Sequence, residues 1–521
     1  MKPYLVLMLG KGFIGLRQSR SYKGYKEHSR PRYRQQRKMN ITIVKNYLYN
    51  LAFQLVRIIL PLILIPYSAK FIGESALGVY QYAGSIMNWF ILFGILGVNT
   101  YGNRQIAKVR DNEKLRNKTF FEIFYMQICN MLIAIAAYYI IIHFAVADNK
   151  FYYYLTGLTM IATMLDITWF FYGVEDFKKA SIRNTVVKCL SVFLIMLLCK
   201  TPEDIWCFIL INVGSEIFGQ LIMFLQLKHY LKYERVTLRE AYKNHFKPAF
   251  QLFVPTIAIS VYTLFDQTMV GSIYSQEHLV YYNASMGIIK MFLTFITSIG
   301  AVMLPRVTNV FYNKADGENK TRSYIDTTMK ISMLLALPMS FGMMMISKSF
   351  ISWYIPQWPS VGKLIQLGCP IVIFISMSNV TGIQFMVPTG MYKQYSISVI
   401  TGSCINFCIN LLLIPSYGAL GATIGSVIAE MSVSFLQLLL IYPKLKINFM
   451  QKSYFEYAFA TVIMSVVVYG VSIIFQDDLF HIFTEIIIGI AIYFLLLIVW
   501  REEITRKILL TVIRIFRKDH F

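Results

Sequence analysis

Two basic side chains, Arg57 and Lys290, lie in the middle of long apolar segments of this sequence. A charge placed in hydrocarbon costs about 2.5 kcal/mol or more, so such a side chain is expected to face protein or a water-filled cavity. Arginine binds phosphate or carboxylate through a bidentate fork, whereas lysine acts as a point charge. The two cations therefore predict either ion pairs with buried acids, such as Asp266 or Asp166, or a site that attracts an anionic group.

Each cation belongs to a stripe of polar residues at helical spacing. In the first stripe the offsets are i, i+4, i+7 and i+11, and three further apolar segments carry similar stripes. The four stripes are Asn50, Gln54, Arg57 and Pro61; Gln81, Ser85 and Asn88; Thr256, Ser260, Thr263 and Gln267; and Asn283, Gly287, Lys290, Thr294 and Thr297. Small polar residues commonly join membrane helices by hydrogen bonds. Four long stripes, two with a cation, instead favour a hydrated cavity.

Acidic residues, Glu485 among them, also fall inside apolar segments, and four of them are candidates for coupling or for a structural role: Asp166, Glu216, Asp266 and Glu430. Coupling to a proton or sodium gradient would need a group of this kind. An interior acid can equally be a satisfied structural residue, so both roles stay open for these four.

The sequence contains no constellation that predicts an enzyme. It has no nucleophile elbow, no Walker lysine and no cluster of metal ligands. Its seven cysteines lie mostly in apolar segments, as is typical of small buried residues. We therefore expect neither a resident cofactor nor a metal.

The composition is that of a polytopic α-helical membrane protein. The chain has 521 residues, 56% of them hydrophobic, with a mean hydropathy of +0.53. The apolar runs are continuous rather than alternating, which excludes a transmembrane β-barrel. The net charge of +23 sits in short loops beside these runs, so membrane topology and anionic lipid explain it better than nucleic acid does.

Hydropathy predicts about fourteen spans with short loops between them. The longest loop on the outer side is expected at 347–362. The predicted spans are 46–68, 78–101, 119–144, 152–172, 185–199, 205–227, 249–273, 280–304, 325–346, 363–386, 396–414, 419–441, 454–475 and 482–500.

The distribution of basic residues supports both this count and an orientation. If the first span runs from inside to outside, the inner segments hold 43 of the 50 Lys and Arg residues and the outer segments hold five. A missed span would swap the sides of all later segments, and basic residues would then fall on both sides of the membrane. The positive-inside rule therefore predicts a multi-pass protein of the cell membrane with both termini in the cytoplasm.

The chain divides into five parts. Residues 1–38 are basic and polar after a short apolar run, and are expected to be a disordered extension that is dispensable if Met39 is the natural start. Spans 1–6 (39–248) and 7–12 (249–445) form two halves, because VYQYAGSIM (79–87) resembles VYYNASMGI (280–288) six spans later. Spans 13–14 follow (446–500). Residues 501–521 form a basic amphipathic tail expected at the inner leaflet.

Several segments together resemble the Wzx-type polysaccharide flippases of the multidrug/oligosaccharidyl-lipid/polysaccharide exporter superfamily. The resemblance covers about residues 40–500. Its clearest pieces are NYLYNLAFQLVRIILPLILIPYSAKFIGESALGVYQYAGSI (46–86), YGNRQIAKVRDN (101–112), DITWFFYGVEDFKKASIRN (166–184), FDQTMVG (265–271), YYNASMGI (281–288), MLPRVTNVF (303–311) and IPSYGALGATIGSVIAE (414–430).

The resemblance implies two six-helix lobes related by a pseudo-two-fold axis, with a cleft lined by spans 1, 2, 7 and 8. It implies that an undecaprenyl-pyrophosphate-linked repeat unit of an O-antigen, capsule or exopolysaccharide crosses to the outer leaflet. Glycosyltransferases and a polymerase of the same pathway would be partners. The implied cleft is cationic, which fits Arg57 and Lys290, while Arg104 and Arg306 would lie at its cytoplasmic mouth. The polar cleft residues would be Asn50, Gln54, Gln81, Asn88 and Asn283.

Three alternatives stay open from the sequence. A drug/cation antiporter of the same superfamily should have an acidic cavity, whereas this one is predicted to be cationic. A membrane polysaccharide polymerase should have a large external loop, which the hydropathy pattern lacks. A flippase for the lipid-linked peptidoglycan precursor would move a substrate with the same lipid anchor, so it is harder to distinguish from a polysaccharide flippase.

Overall fold

The computed structural model describes residues 59–313, 317–445, 451–474 and 479–518, without the side chains of some helical residues among them. Within these ranges the chain is helical and no strand occurs. Apolar segments fold this way because backbone polar groups in hydrocarbon must be paired within the segment. The helices are α1 Ile59–Phe71, α2 Gly73–Ile95, α3 Val98–Val109, α4 Glu113–Ala145, α5 Lys150–Gly157, α6 Thr159–Met164, α7 Thr168–Gly173, α8 Phe177–Leu198, α9 Ile205–Leu227, α10 Leu238–Ala241, α11 Lys247–Met269, α12 Gln276–Asn313, α13 Gly317–Tyr354, α14 Ser360–Gly368, α15 Pro370–Ser378, α16 Tyr392–Tyr417, α17 Ala419–Leu445, α18 Lys452–Ile474, α19 Leu479–Val499 and α20 Glu503–Lys518.

Eleven helical segments of the described residues are long and apolar enough to cross a membrane. The chain is therefore a multi-pass α-helical membrane protein, as the composition predicts. Helices α8 and α11 occupy two further predicted spans, 185–199 and 249–273, and α1 covers the later part of span 1. The predicted total of fourteen is not confirmed, and the extension 1–38 lies outside the described residues.

The predicted loop at 347–362 is wrong in its length. Helix α13 continues to Tyr354 and α14 begins at Ser360, so only residues 355–359 join them. Aromatic residues at helical spacing explain the extension, because the rings of Phe350 and Tyr354 stack with their centroids 4.8 Å apart. The Tyr354 hydroxyl also donates to the Leu62 carbonyl of α1, which holds the end of α13 in place.

Contacts between turns define the two ends of the helix bundle. At the Ile72 end, the α1–α2 turn meets residues 199–200 and 354–358: the Tyr67 hydroxyl donates to the Cys199 carbonyl at 2.7 Å. At the opposite end, which we call the His245 end, residues 110–122 meet the segment that joins α9 to α11. There the Arg116 guanidinium donates to the Tyr230 carbonyl at 2.7 Å.

The packing of apolar residues joins the two halves at the Ile72 end. Among the described residues, two apolar clusters lie within residues 79–252. A larger third cluster includes Ile72 and Leu77 of the first half together with Leu279 and Val280 of the second. Burial of this shared apolar surface favours contact between the halves at that end.

The last helices pack against the second half. The Tyr493 hydroxyl of α19 donates to the Leu334 carbonyl of α13 at 2.9 Å. The Tyr457 hydroxyl of α18 donates to the Glu502 carboxylate at 2.8 Å, directly before α20 begins. The first turn of α20 is anchored by the buried residue Ile504, so this helix leaves the bundle at a fixed point.

Candidate functional site

The polar stripes of α2 and α12 meet at Gln81 and Asn283. The Asn283 side-chain nitrogen Nδ2 donates a hydrogen bond to Gln81 Oε1 at 2.7 Å. They lie near the starts of two helices whose sequences are similar, although the repeat of 79–87 and 280–288 pairs Gln81 with Tyr282 rather than with Asn283. The structure thus brings together two stripes that the sequence predicted to line one cavity.

Two turns farther along the same helix faces, the polar residues of the two stripes are exposed. Asn88 and Lys290 each follow the bonded pair by seven residues, which is about 10.5 Å along a helix axis. Both side chains are exposed. A Cβ atom added at Gly287 would meet nothing within 4 Å outside its own helix. The cleft between α2 and α12 is therefore closed at Gln81 and opens toward the His245 end.

Further contacts close the cleft at the Ile72 end. The buried indole of Trp358 donates to the Glu74 carboxylate at 2.9 Å, joining the α13–α14 loop to α2. A Cβ atom at Gly78 would lie 2.8 Å from the backbone of Gln276. The close approach of α2 to α12 there requires glycine, because any side chain would clash.

Helix α11 supplies the third wall. The Trp89 indole of α2 donates to the Thr268 hydroxyl at 3.0 Å, and its ring packs edge-on against Phe265. Nearer the His245 end, Gly97 lies against Phe253, with 3.3 Å between a Cβ built at the glycine and the Cα of Phe253. Contacts with α2 thus extend along much of α11.

Lys290 has an acidic neighbour across the second lobe. The carboxylate of Glu430 in α17 is buried and accepts a hydrogen bond from the Tyr262 hydroxyl of α11 at 2.9 Å. Glu430 also interacts electrostatically with the ammonium group of Lys290. The exposed cation and the buried acid are therefore close enough to interact electrostatically.

Asp266 lies at the centre of a hydrogen-bonded network in the second lobe. Its buried carboxylate accepts hydrogen bonds from the Tyr282 hydroxyl at 2.7 Å, from the Ser426 hydroxyl at 2.8 Å and from the Asn410 amide at 2.5 Å. A carboxylate with several donors is well stabilised in the interior. The geometry therefore fits the structural role that the sequence left open for Asp266.

The other two acids line a separate space, the N-lobe cavity, between α1, α6, α8 and α9. Its volume is about 320 Å³, and its polar lining includes Asp166, Arg183, Asn184, Lys188, Glu216 and Gln220. Sequence analysis missed the two cations because it counted both with the basic inner segment 178–188, although Lys188 falls within predicted span 185–199. The signal was present, since Asn184 and Lys188 stand at i, i+4 and continue a polar face into α8.

Several predicted site residues cannot be placed. Asn50, Gln54 and Arg57 lie outside the described residues, and of Arg306 only the helical backbone of α12 is described. Arg104 is exposed on α3, at the His245 end. The structure thus describes one of the two predicted midspan cations.

The segment that joins the two lobes is docked on the first lobe at the His245 end. Glu122 of α4, His245 of the linker and Tyr101 of α3 are all buried. The Glu122 carboxylate is 2.7 Å from His245 Nε2, and the Tyr101 hydroxyl is 2.7 Å from His245 Nδ1. Both ring nitrogens therefore have a partner, which fixes the start of α11 to the first lobe.

Comparison with other proteins identifies the fold and the family. The chain is 20% identical over 405 residues to a protein of Escherichia coli (strain K12) named as an O-antigen transporter, covering 77% of this chain and 97% of that protein. A protein of the same name from Shigella dysenteriae is 23% identical over 381 residues, covering 72% and 93%. The structure resembles a lipid II flippase, MurJ, in an inward closed conformation, with a TM-score of 0.72 and 16% identity over 88% of this chain and 100% of that one.

The match to a family model covers both the cleft helices α2 and α12 and the helices between them. The model described as "Polysaccharide biosynthesis protein" matches residues 43–311, which is more than half of the chain. The protein therefore belongs to this polysaccharide biosynthesis family, and it is a Wzx-type member, as the resemblance of its sequence implies.

Proposed function

We propose that this protein is a flippase that moves undecaprenyl-pyrophosphate-linked oligosaccharide repeat units from the inner to the outer leaflet for surface polysaccharide biosynthesis. The observation that carries the proposal is the pair of stripes joined at Gln81 and Asn283 and open at Asn88 and Lys290. A pyrophosphate with a hydrated glycan cannot cross hydrocarbon unaided, whereas a polyprenyl chain can stay in lipid beside an open cleft. The relatives named as O-antigen transporters support this substrate class.

The distribution of charge supports an orientation. Basic residues gather at the His245 end, as in the segments 104–118 and 228–247. The positive-inside rule assigns that end to the cytoplasm and the Ile72 end to the outside. Reporter fusions after Asp148 and after Lys393 test this assignment, because the first should report outside and the second inside. The reverse result at either site would contradict it.

The cleft would work by alternating access of the two lobes. The contacts at Glu74–Trp358, Gly78–Gln276 and Gln81–Asn283 support a state closed at the outer end. The head group would enter from the cytoplasmic side, and breaking these contacts would release it outside. Such rocking of two halves around a central site is common among transporters built from repeats.

The anionic pyrophosphate would bind to the cations of the cleft. Lys290 is exposed on the open face of α12, and Arg57 belongs to the polar stripe of span 1 in the first lobe. Arg104 and Arg306 would attract the anion at the cytoplasmic mouth, and the polar stripe residues would contact the sugars. A cationic cleft of this kind discriminates against cationic drugs by charge.

Glu430 is the acid best placed to couple this step to a proton gradient. When the cleft is empty, its carboxylate partly neutralises Lys290. An arriving pyrophosphate would compete for the same ammonium group, and uptake of a proton by Glu430 would relieve the repulsion between the two anions. Asp266 is held by three donors and would keep a structural role.

Deletion of the gene tests the proposed function in the cell. Surface polysaccharide should be lost and its lipid-linked unit should accumulate, while resistance to cationic dyes stays unchanged. Glycosyltransferases and a polymerase of the same pathway should remain active in extracts. Unchanged polysaccharide together with increased dye sensitivity would support a drug antiporter instead.

A further inference from the structure

The N-lobe cavity is a polar space that the proposed pyrophosphate site does not use. It lies between α8 and α9 on one side and Leu60 of α1 on the other. Tyr80 of α2 is near enough to Glu216 to interact with it electrostatically. The cavity therefore adjoins two of the helices that line the cleft, on the side of the first lobe.

The charges of the lining balance. Asp166 and Glu216 are acids, whereas Arg183 and Lys188 are bases, and amide and hydroxyl groups fill the spaces between them. A site for a free ion usually presents one sign of charge. A lining with similar numbers of hydrogen-bond donors and acceptors suits a neutral ligand rich in hydroxyl groups, because each hydroxyl group both donates and accepts.

Three buried polar atoms in the lining of the cavity have no hydrogen-bond partner among the described residues. Arg183 is 8% exposed, and its Nε and Nη2 atoms are buried without a hydrogen bond. The buried Oε1 of Gln220 likewise accepts no hydrogen bond. Each such group costs about 1–3 kcal/mol when nothing satisfies it. A bound ligand that brings both hydroxyl hydrogens and oxygen atoms would compensate for this cost.

The volume of the cavity, about 320 Å³, falls at the lower end of the range for small-molecule sites, about 300–1,000 Å³. That space admits a short stretch of glycan. It would not admit a polyprenyl chain, and an apolar chain would offer no hydrogen bonds to the nine polar side chains of the lining.

We propose that the N-lobe cavity binds the uncharged, hydroxyl-rich part of the glycan head group while the pyrophosphate stays at the cations of the cleft. The inference rests on the proposed function and adds a sugar subsite to it. Head groups with several sugars would depend on the cavity. Head groups with a single sugar would not reach it from the cleft.

The test measures transbilayer movement of two defined lipids by purified full-length protein in phospholipid vesicles. One probe is undecaprenyl pyrophosphate that carries a single sugar, and the other is the same lipid with a tetrasaccharide. Membrane-impermeant periodate reports how fast the sugar of the inner leaflet becomes accessible. Ser215 lines the cavity, so Ser215→Phe should fill it. We expect the tetrasaccharide lipid to move at least about tenfold more slowly and the single-sugar lipid to keep its rate.

Two further variants control for folding. Gln220→Met keeps the approximate shape and removes the amide without breaking any hydrogen bond of its Oε1 within the described residues. It should slow only the tetrasaccharide lipid, by a smaller factor. Ala137→Phe fills an apolar cavity of about 470 Å³ elsewhere in the same lobe and should change neither rate.

Two results would overturn the inference. Unchanged rates for both lipids in Ser215→Phe and Gln220→Met would show that the cavity binds no part of the substrate. Equal slowing of both lipids by Gln220→Met, with an unchanged melting temperature, would show a role common to all head groups. If the wild-type protein moved neither lipid, the proposed function itself would be contradicted and this inference with it.

Discussion

Asn283 of α12 donates a hydrogen bond to Gln81 of α2 at 2.7 Å, and this bond joins two helices of similar sequence from the two lobes. Toward the Ile72 end, Gly78 approaches the backbone of Gln276. Toward the His245 end, Asn88 and Lys290 are exposed. The pair thus marks the boundary between the closed and open parts of the cleft.

Locking this boundary should stop transport. A disulfide formed in the double variant Gln81→Cys/Asn283→Cys should hold the outer end closed and abolish flipping, because the lobes could no longer separate there. Reductant should restore activity. Each single cysteine variant, tested under the same oxidant, controls for the seven natural cysteines. Full activity in the oxidised double variant would mean that the two helices need not part at this point.

Removal of the midspan cations should abolish flipping without unfolding the protein. We expect Lys290→Gln and Arg57→Gln to reach the membrane in normal amounts and to be inactive, because each removes one attraction for the pyrophosphate. Arg57→Lys should keep part of the activity, since the charge survives but the bidentate geometry is lost. Complementation of a deletion strain measures the effect.

Lys393→Gln is the control for these variants, because Lys393 is exposed in the first turn of α16. It should complement fully. A lower amount of folded protein in the Arg57→Gln or Lys290→Gln variant, rescued by a second substitution that neutralises an acid, would instead indicate a structural ion pair. Full activity of both variants would exclude the anion-binding role.

Asp266 should matter for stability. Asp266→Asn reduces the accepting capacity of a side chain that now serves Tyr282, Ser426 and Asn410. Each donor left without an acceptor costs about 1–3 kcal/mol, so the apparent melting temperature in detergent should fall. The exposed acid Asp111 is the control, and Asp111→Asn should leave the melting temperature unchanged. An unaltered melting temperature with lost activity would indicate that Asp266 takes part in coupling.

The docked linker gives a prediction for proteolysis. His245→Ala removes a partner of Glu122 and of Tyr101, while the hydrogen bond from Asn244 to Glu122 stays. The linker should then detach more often, and trypsin should cut faster at its exposed basic residues, such as Lys243 and Arg239. The rate of cleavage of His245→Gln should lie between those of the wild-type protein and His245→Ala, because an amide can keep one of the hydrogen bonds. Equal cleavage in all three proteins would show that these contacts do not hold the linker.

The sequence predicted most of the helical fold, and it predicted polar faces on α2 and α12 that the structure brings into contact. Long apolar segments and the periodicity of polar residues depend only on local sequence, so they placed the helices and the facing stripes of Gln81 and Asn283. The contact between Trp358 and Glu74 joins residues far apart in the chain, which no local pattern reveals. Arg183 was missed because a basic residue near the end of a span looks like part of a loop until the helix is seen to bury it.

The most direct test of the proposed function is the accessibility of a lipid-linked sugar in vesicles that contain the purified protein. Vesicles without protein should expose only the outer-leaflet share of undecaprenyl-pyrophosphate-linked sugar to periodate. Wild-type protein should make the inner-leaflet share accessible as well, and Lys290→Gln should behave like empty vesicles. If the inner-leaflet sugar stayed protected in the presence of folded wild-type protein, this protein would not be a flippase for such lipids.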